Sequence, residues 1–230
     1  MNQDEKVTFS DRVDSFFAQH RKKVLVALST LFVVVIAVIA IFMVIERQKK
    51  AAITKIETEI IAFEKFKSEK IKNSADSMTD EEKKLLADEE AVLIGKLTPY
   101  SVQNNYAGFM AVQYIADIYF KNGDFEKALS FYEKLNLPKE LYTSGVVFYN
   151  AAACADELGQ NEKAIDFYRK AANCVSFPFK ARALFNAARV QENIDASAAV
   201  DAYTKVVADY PNSEWASLSK TRVIELGLGK

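Results

Sequence analysis

The chain has 230 residues and a formal net charge of −1, from 30 basic against 31 acidic residues, with a single histidine. That balance excludes a nucleic-acid surface, which needs a clustered basic excess, and one histidine excludes a multi-histidine metal site. Seven glycines and four prolines are too few for the turns of a β-sandwich or barrel, and the abundance of Ala, Lys, Glu, Leu and Phe outside one apolar segment favours helix.

Residues 1–23 form a short polar tail. Ser10 is placed to cap a helix in which Val13, Phe16, Phe17 and His20 recur at i, i+3, i+4 and i+7. That stripe suits a helix lying at lipid headgroups before the chain turns inward, with His20 an interfacial residue beside Arg21, Lys22 and Lys23. Residues 24–45, VLVALSTLFVVVIAVIAIFMVI, hold no charge, no Pro and no Gly, and only two hydroxyls, Ser29 and Thr30. As a helix the segment is about 33 Å long, enough to cross a hydrocarbon core of about 30 Å, so it is expected to be a transmembrane helix in contact with the lipid bilayer. The apolar run exceeds that of a signal peptide, and Glu46-Arg47-Gln48 follows without a small-residue cleavage site. An uncleaved anchor is therefore expected. Arg12, Arg21, Lys22 and Lys23 before the span match Arg47, Lys49, Lys50 and Lys55 after it, so charge bias leaves the orientation undecided.

Residues 46–100 read as a membrane-proximal helical hairpin. The span is expected to continue as a helix to about residue 73, with Ile53, Ile56, Ile60 and Phe63 at 3-4-3 spacing. Two heptads leave two partners open for this seam, a second copy of the chain or the helix that follows. Residues 73–77 read as a loop, and Thr79 with Glu82 as a capping box that opens a helix to about Leu97. Leu85, Leu86, Val92, Leu93 and Leu97 give that helix an apolar side, and Asp88-Glu89-Glu90 a solvated face. Thr98-Pro99 ends the hairpin.

From about Ser101 the chain repeats itself. GDFEKALSFYEKL at 123–135 returns 36 residues later as GQNEKAIDFYRKA at 159–171, and a more worn copy places Ala199, Tyr203 and Lys205 about 35 residues further on. A period in the mid-thirties with a break in the middle denotes stacked helix–turn–helix units. Alanines at the eighth place (Ala116, Ala152, Ala187) and twentieth place (Ala128, Ala164, Ala199) let two helices approach closely. Tyr132, Tyr168 and Tyr203, at the twenty-fourth place, fill the gap to the next unit, and Gly123 and Gly159 end the first helix in a left-handed conformation. This pattern resembles the tetratricopeptide repeat, with units at about 109–142, 145–178 and 180–213. Departures are visible: Val112 and Ala116 replace the usual Trp and Gly, Ile194 replaces the turn Gly of the third unit, and Pro138 closes the first unit early, whereas Pro178 and Pro211 close the others. A last helix at 213–227, with Trp215, Leu218, Val223 and Leu226 on one face, is expected to cap the stack. The fold class is thus all-α: one transmembrane helix, a helical hairpin and an α-solenoid.

The layout of short tail, Phe16-Phe17-Ala18 with basic residues, one span and repeat helices is similar to that of bacterial inner-membrane proteins that are ancillary subunits of the Sec translocon. That resemblance implies a cytoplasmic tail and a periplasmic domain working beside chaperones. No phosphate loop, HExxH, CxxC or nucleophile elbow is present, and His20 at the membrane is beyond reach of any Ser or Cys in the repeats. Neither an enzyme nor a cofactor is expected. Cys154 and Cys174 fall about 15 Å apart on antiparallel helices, so two buried, unbridged thiols are expected. What remains is protein binding, with self-association through Ile53, Ile56, Ile60 and Phe63 as a scaffold alternative. The repeat resemblance assigns to the concave face Met110, Gln113, Asp117, Phe120 and Lys121, then Val146, Tyr149, Asp156 and Glu157, then Leu184, Gln191 and Glu192. Gln113 and Asp117 stand where clamps for C-terminal carboxylates carry Lys and Asn, so that clamp is absent. Aromatic and aliphatic residues mixed with carboxylates suit an amphipathic or basic segment of a translocon, chaperone or envelope protein. Whether residues 79–97 cover part of that face stays open.

Overall fold

The computed structural model describes residues 9–71, 77–135 and 142–228; among them it has α-helices, one short 3-10 turn and no strand. The expected loop at 73–77, but for Ser77, and Pro138 lie outside the described residues. The chain divides into two units, residues 1–52 and 53–230.

The first unit is helix α1, Phe9–Lys70, as far as residue 52. Ser10 therefore sits inside a helix rather than capping it, and no turn separates the tail from the apolar segment. The reason is local: the chain has neither Pro nor Gly before residue 95 to interrupt a helix. The side chains of Val13 and Phe17 lie outside the described residues, but Phe16 and His20 stack one turn apart with ring centroids 4.7 Å apart. Every large apolar side chain from Leu25 to Ile45 is exposed. Ser29 returns its hydroxyl to the Leu25 carbonyl at 2.9 Å and Thr30 to that of Val26 at 2.8 Å, so the segment satisfies its own polar groups. It is long and apolar enough to cross a membrane.

In the second unit the remainder of α1 precedes α2, Asp80–Leu97. The capping box forms: the Thr79 hydroxyl accepts from Glu82 N–H at 3.2 Å, and Thr79 N–H donates to the Glu82 carboxylate at 3.0 Å. Lys96 of α2 reaches Glu59 of α1 at 2.8 Å. Ile56 is 0 % and Phe63 8 % exposed, with Ile53 and Ile60 half-buried, so this seam is covered within the chain itself. Two expectations for α2 fail: Leu85 and Val92 of the expected apolar side are exposed, and the acidic cluster is not wholly solvated. Glu90 is 7 % exposed and accepts from the Asn122 amide at 2.6 Å, whereas Asp88 is exposed. Three consecutive side chains point different ways round a helix, and here the third turns inward.

After the 3-10 turn Thr98–Tyr100 come α3 (Tyr106–Lys121), α4 (Phe125–Tyr132), α5 (Ser144–Glu157), α6 (Asn161–Asn173), α7 (Lys180–Gln191), α8 (Ala196–Asp209) and α9 (Glu214–Leu228). Each packs on its neighbours in sequence, and α5, α6 and α7 form the centre of the stack. Ala116, Ala128, Ala152, Ala164 and Ala199 have no exposed surface, and Tyr132, Tyr168 and Tyr203 are buried between units. Gly123 and Gly159 adopt positive φ of 74° and 68°. In both turns the N–H two residues past the C-cap bonds back five residues, Asp124 to Tyr119 at 2.9 Å and Gln160 to Ala155 at 2.8 Å. These are Schellman closures. The third turn, with Ile194, has no left-handed residue; short right-handed bonds such as Ile194 N–H to Gln191 at 3.0 Å close it instead. Asp195 then caps α8 by accepting from Ser197 N–H at 2.8 Å.

Helix α9 differs from expectation at one place. Trp215 rests on Phe185 with centroids 5.2 Å apart, and Val223 and Leu226 pack on the cluster around Tyr203, but Leu218 is 46 % exposed. Ala216 and Ser219 occupy the inner positions, because 216, 219 and 223 are the residues that share a helical face. Cys154 and Cys174 are both buried and unbridged. Burial, with the Asp117 charge adding to it, pushes the Cys154 thiol up to about 12, and Cys174 Sγ donates to the Lys170 carbonyl at 3.4 Å.

Candidate functional site

The first helix of each unit (α3, α5, α7) carries the places expected to line a binding surface. Gln113, Asp117 and Phe120 are half-buried on α3, Tyr149 and Asp156 on α5, and Leu184, Gln191 and Glu192 at α7 and its end; Lys121, Val146 and Glu157 are exposed. Met110 is half-buried. Phe120 leans edge-on against Phe125 at 5.9 Å, and Tyr149 against Tyr168 at 5.3 Å. Leu184 packs on the core. Helix α2 meets this series at α3, through the Glu90–Asn122 bond. Glu64 of α1 accepts from the Tyr114 hydroxyl beside it.

Three of the four carboxylates on this face are engaged within the stack, and the fourth, Glu157, is exposed. Tyr132 donates its hydroxyl to Asp117 at 2.5 Å, Tyr168 to Asp156 at 3.4 Å, and Tyr203 to Glu192 at 2.5 Å. Each carboxylate also reaches the next structural unit. The Asn150 amide of α5 donates to the Tyr132 hydroxyl at 3.3 Å; Arg189 of α7 pairs with Asp156; Arg222 of α9 pairs with Glu192 and with Glu225. The acidic groups thus tie one repeat to the next. Of the acidic residues expected on this face, Glu157 alone stands outside these junctions.

Electrostatics follow the partners. Burial raises the Asp117 carboxyl above the usual carboxylate range, outweighing the bonds from Tyr132 and Asn150 and the charge of Lys121. Burial acts the same way on Glu192, but the Arg222 and Tyr203 bonds outweigh it, and its carboxyl lies below the usual range. The Tyr132, Tyr168 and Tyr203 hydroxyls are all pushed upward, first by burial and then by the carboxylates they face. They remain protonated donors.

Sequence reasoning missed a second cluster. Gly145, in the first turn of α5, admits Phe177 so closely that a Cβ there would meet the Phe177 Cβ at 2.5 Å and its ring at 2.6 Å. Phe177 in turn packs on Tyr149 at 5.9 Å and on Phe179 at 5.8 Å. Arg182, on the first turn of α7, lies between two rings, its guanidinium carbon 5.5 Å from the centroids of both Tyr149 and Trp215. The signal was in the sequence as FPFK at 177–180 with Arg182 just after, but the aromatic partners of Arg182 come from two distant helices, α5 and α9. No cluster among the described residues suits a metal ion.

Paired helices stacked with close-packed alanines and inter-unit tyrosines define an α-solenoid. Profiles of the tetratricopeptide repeat match residues 115–136, 146–173 and 182–213. The chain carries tetratricopeptide repeats, a class of protein–protein interaction module. It is 36 % identical over 129 residues to a TPR repeat-containing protein of Treponema pallidum (strain Nichols), an alignment covering 55 % of this chain. The chain spans about half of that relative, 54 % of its length. A kinesin light chain of Podosopora anserina with nearly identical TPR-like repeats superposes with a TM-score of 0.54. A point variant of that protein gives the same score. Either alignment covers 74 % of this chain and 84 % of the other, at 12 % identity, and shows the fold alone.

Proposed function

We propose that this protein is a membrane-tethered adaptor. Residues 24–45 hold it in the bilayer, and the repeat face built on α3, α5 and α7 binds segments of other proteins. The observation that carries this reading is the coexistence of repeat units that leave Gln113, Phe120, Tyr149 and Gln191 partly open to solvent with an apolar helix exposed along its whole length. Large exposed apolar surfaces require lipid or protein cover. The bacterial relative and the layout of the chain support a place at the inner membrane, with the repeats in the periplasm, serving protein translocation, chaperoning or envelope assembly. Self-association through Ile53, Ile56, Ile60 and Phe63 is not part of this reading, because Ile56 and Phe63 are buried and Ile53 and Ile60 half-buried within one chain.

Three measurements test it. The chain should stay with membranes through a carbonate wash. A cysteine placed at position 230 should react with an impermeant reagent from outside the inner membrane. A photocrosslinking residue at Gln113 or Tyr149, in native membranes, should give adducts with other proteins. Release by carbonate, or adducts only with copies of the same chain, would overturn the proposal.

A further inference from the structure

A cleft of about 490 Å³ opens where the α6–α7 loop, the start of α7 and the start of α9 meet, walled by Phe177, Phe179, Tyr210 and Trp215. Phe179 is 56 % exposed at its edge. Lys180 and Arg182 line it as well, against the one carboxylate of Glu214. The Arg182 guanidinium carbon lies over both the Tyr149 and the Trp215 ring, within cation–π range of each. Among the described residues nothing accepts its hydrogen bonds or pairs its charge, whereas Arg189 and Arg222 are both spent on carboxylates. A cation–π contact uses none of the guanidinium's N–H donors, and their planar fork matches a carboxylate with two parallel bonds.

We infer that this cleft binds an acidic segment of a partner protein, with a large apolar side chain filling the aromatic cleft and a neighbouring Asp or Glu held by Arg182 and Lys180. The inference rests on the adaptor reading and specifies the partner for one end of the repeat face. Asp117, Asp156 and Glu192 point the same way: they are already bonded within the stack, and at this end the two basic groups Lys180 and Arg182 outnumber the single carboxylate of Glu214.

Trp215 is the only tryptophan of the chain and lies in the cleft, so its emission reports occupancy directly. The full chain in detergent is titrated with a tryptophan-free octapeptide of Glu and Ser around one central Phe. A saturable change in Trp215 emission is expected. Replacing the peptide's Phe by Ala, or its Glu by Lys, should weaken binding about tenfold or more, as should Arg182→Gln, the scale expected for losing a charge-assisted bond. Phe179→Ser, an exposed change that spares the core, should weaken the acidic peptide equally and provides the test if Arg182→Gln disturbs the helical circular dichroism. Equal affinity for the Lys peptide, or no effect of either variant, overturns the inference. Protein adducts at Gln113 that persist unchanged in Arg182→Gln overturn it while leaving the adaptor reading intact. Loss of adducts at every position of the wild-type chain would strike the adaptor reading itself.

Discussion

The first and third junctions of the stack use the same bond in opposite electrostatic settings. At both, a buried tyrosine donates at 2.5 Å to a carboxylate of the preceding helix, Tyr132 to Asp117 and Tyr203 to Glu192. At the third, Arg222 completes an ion pair, and the Glu192 carboxyl lies below its usual range. At the first, only the neutral Asn150 stands across the junction, and burial leaves the Asp117 carboxyl above its range. One position in a repeat can thus be a stabilising pair or a cost, decided by a residue one unit further along the chain.

The largest effects should be alike at the two ends. Tyr132→Ala and Tyr203→Ala each remove a buried aromatic ring and should cost about 3–5 kcal/mol in denaturant unfolding. Markedly unequal losses would break the comparison at its common element. Removing only the hydroxyl should separate them. Tyr132→Phe leaves a buried carboxylate short of a donor and should cost about 1–3 kcal/mol, while Tyr203→Phe, with Arg222 still in place, should cost about 0.5–1.5 kcal/mol.

The pH dependence should differ in sign. A carboxyl whose folded pKa is lowered contributes stability above its unfolded pKa of about 4.3 and loses it as pH falls through the folded value. Glu192→Gln should therefore lower stability at pH 7, by about 1 kcal/mol or less for so partly exposed a pair, with the difference shrinking as pH falls below about 4.3. A raised carboxyl costs stability once pH exceeds its unfolded value. Asp117→Asn should leave the protein equally or more stable at pH 7, with the difference gone below pH 4. The smallest effect is kinetic. Cys154, buried and close enough to Asp117 to feel its charge, should react with a maleimide only when the first junction opens. Its labelling at pH 8 should be faster in Tyr132→Phe than in Tyr203→Phe.

The fold was legible because small and aromatic residues recur at fixed places, and close helix packing leaves few alternatives at those places. The glycine turns at Gly123 and Gly159 could be read as well, since a left-handed residue has few substitutes. The carboxylate junctions could not. Asp117, Asp156 and Glu192 occupy three different places in their repeats, so no periodicity marks them. A cue existed in the choice of tyrosine over phenylalanine at the twenty-fourth place, because a buried hydroxyl needs a partner. The aromatic cleft was hidden for a different reason: Tyr149, Phe177 and Trp215 are brought together only by folding. The inward turn of Glu90 depended on Asn122, 32 residues away.

The alanine seams have an evolutionary consequence. A helix interface made of methyl groups has little left to lose by truncation, so the usual route to a damaging core substitution is closed there. Growth is the dangerous direction: a branched chain at Ala152 or Ala164, neither of which has any exposed surface, must separate two helices and costs about 1–3 kcal/mol by overpacking. Drift in this stack should accordingly be one-sided, with polar outer positions wandering freely and the methyl-lined seams admitting little beyond glycine, alanine and serine.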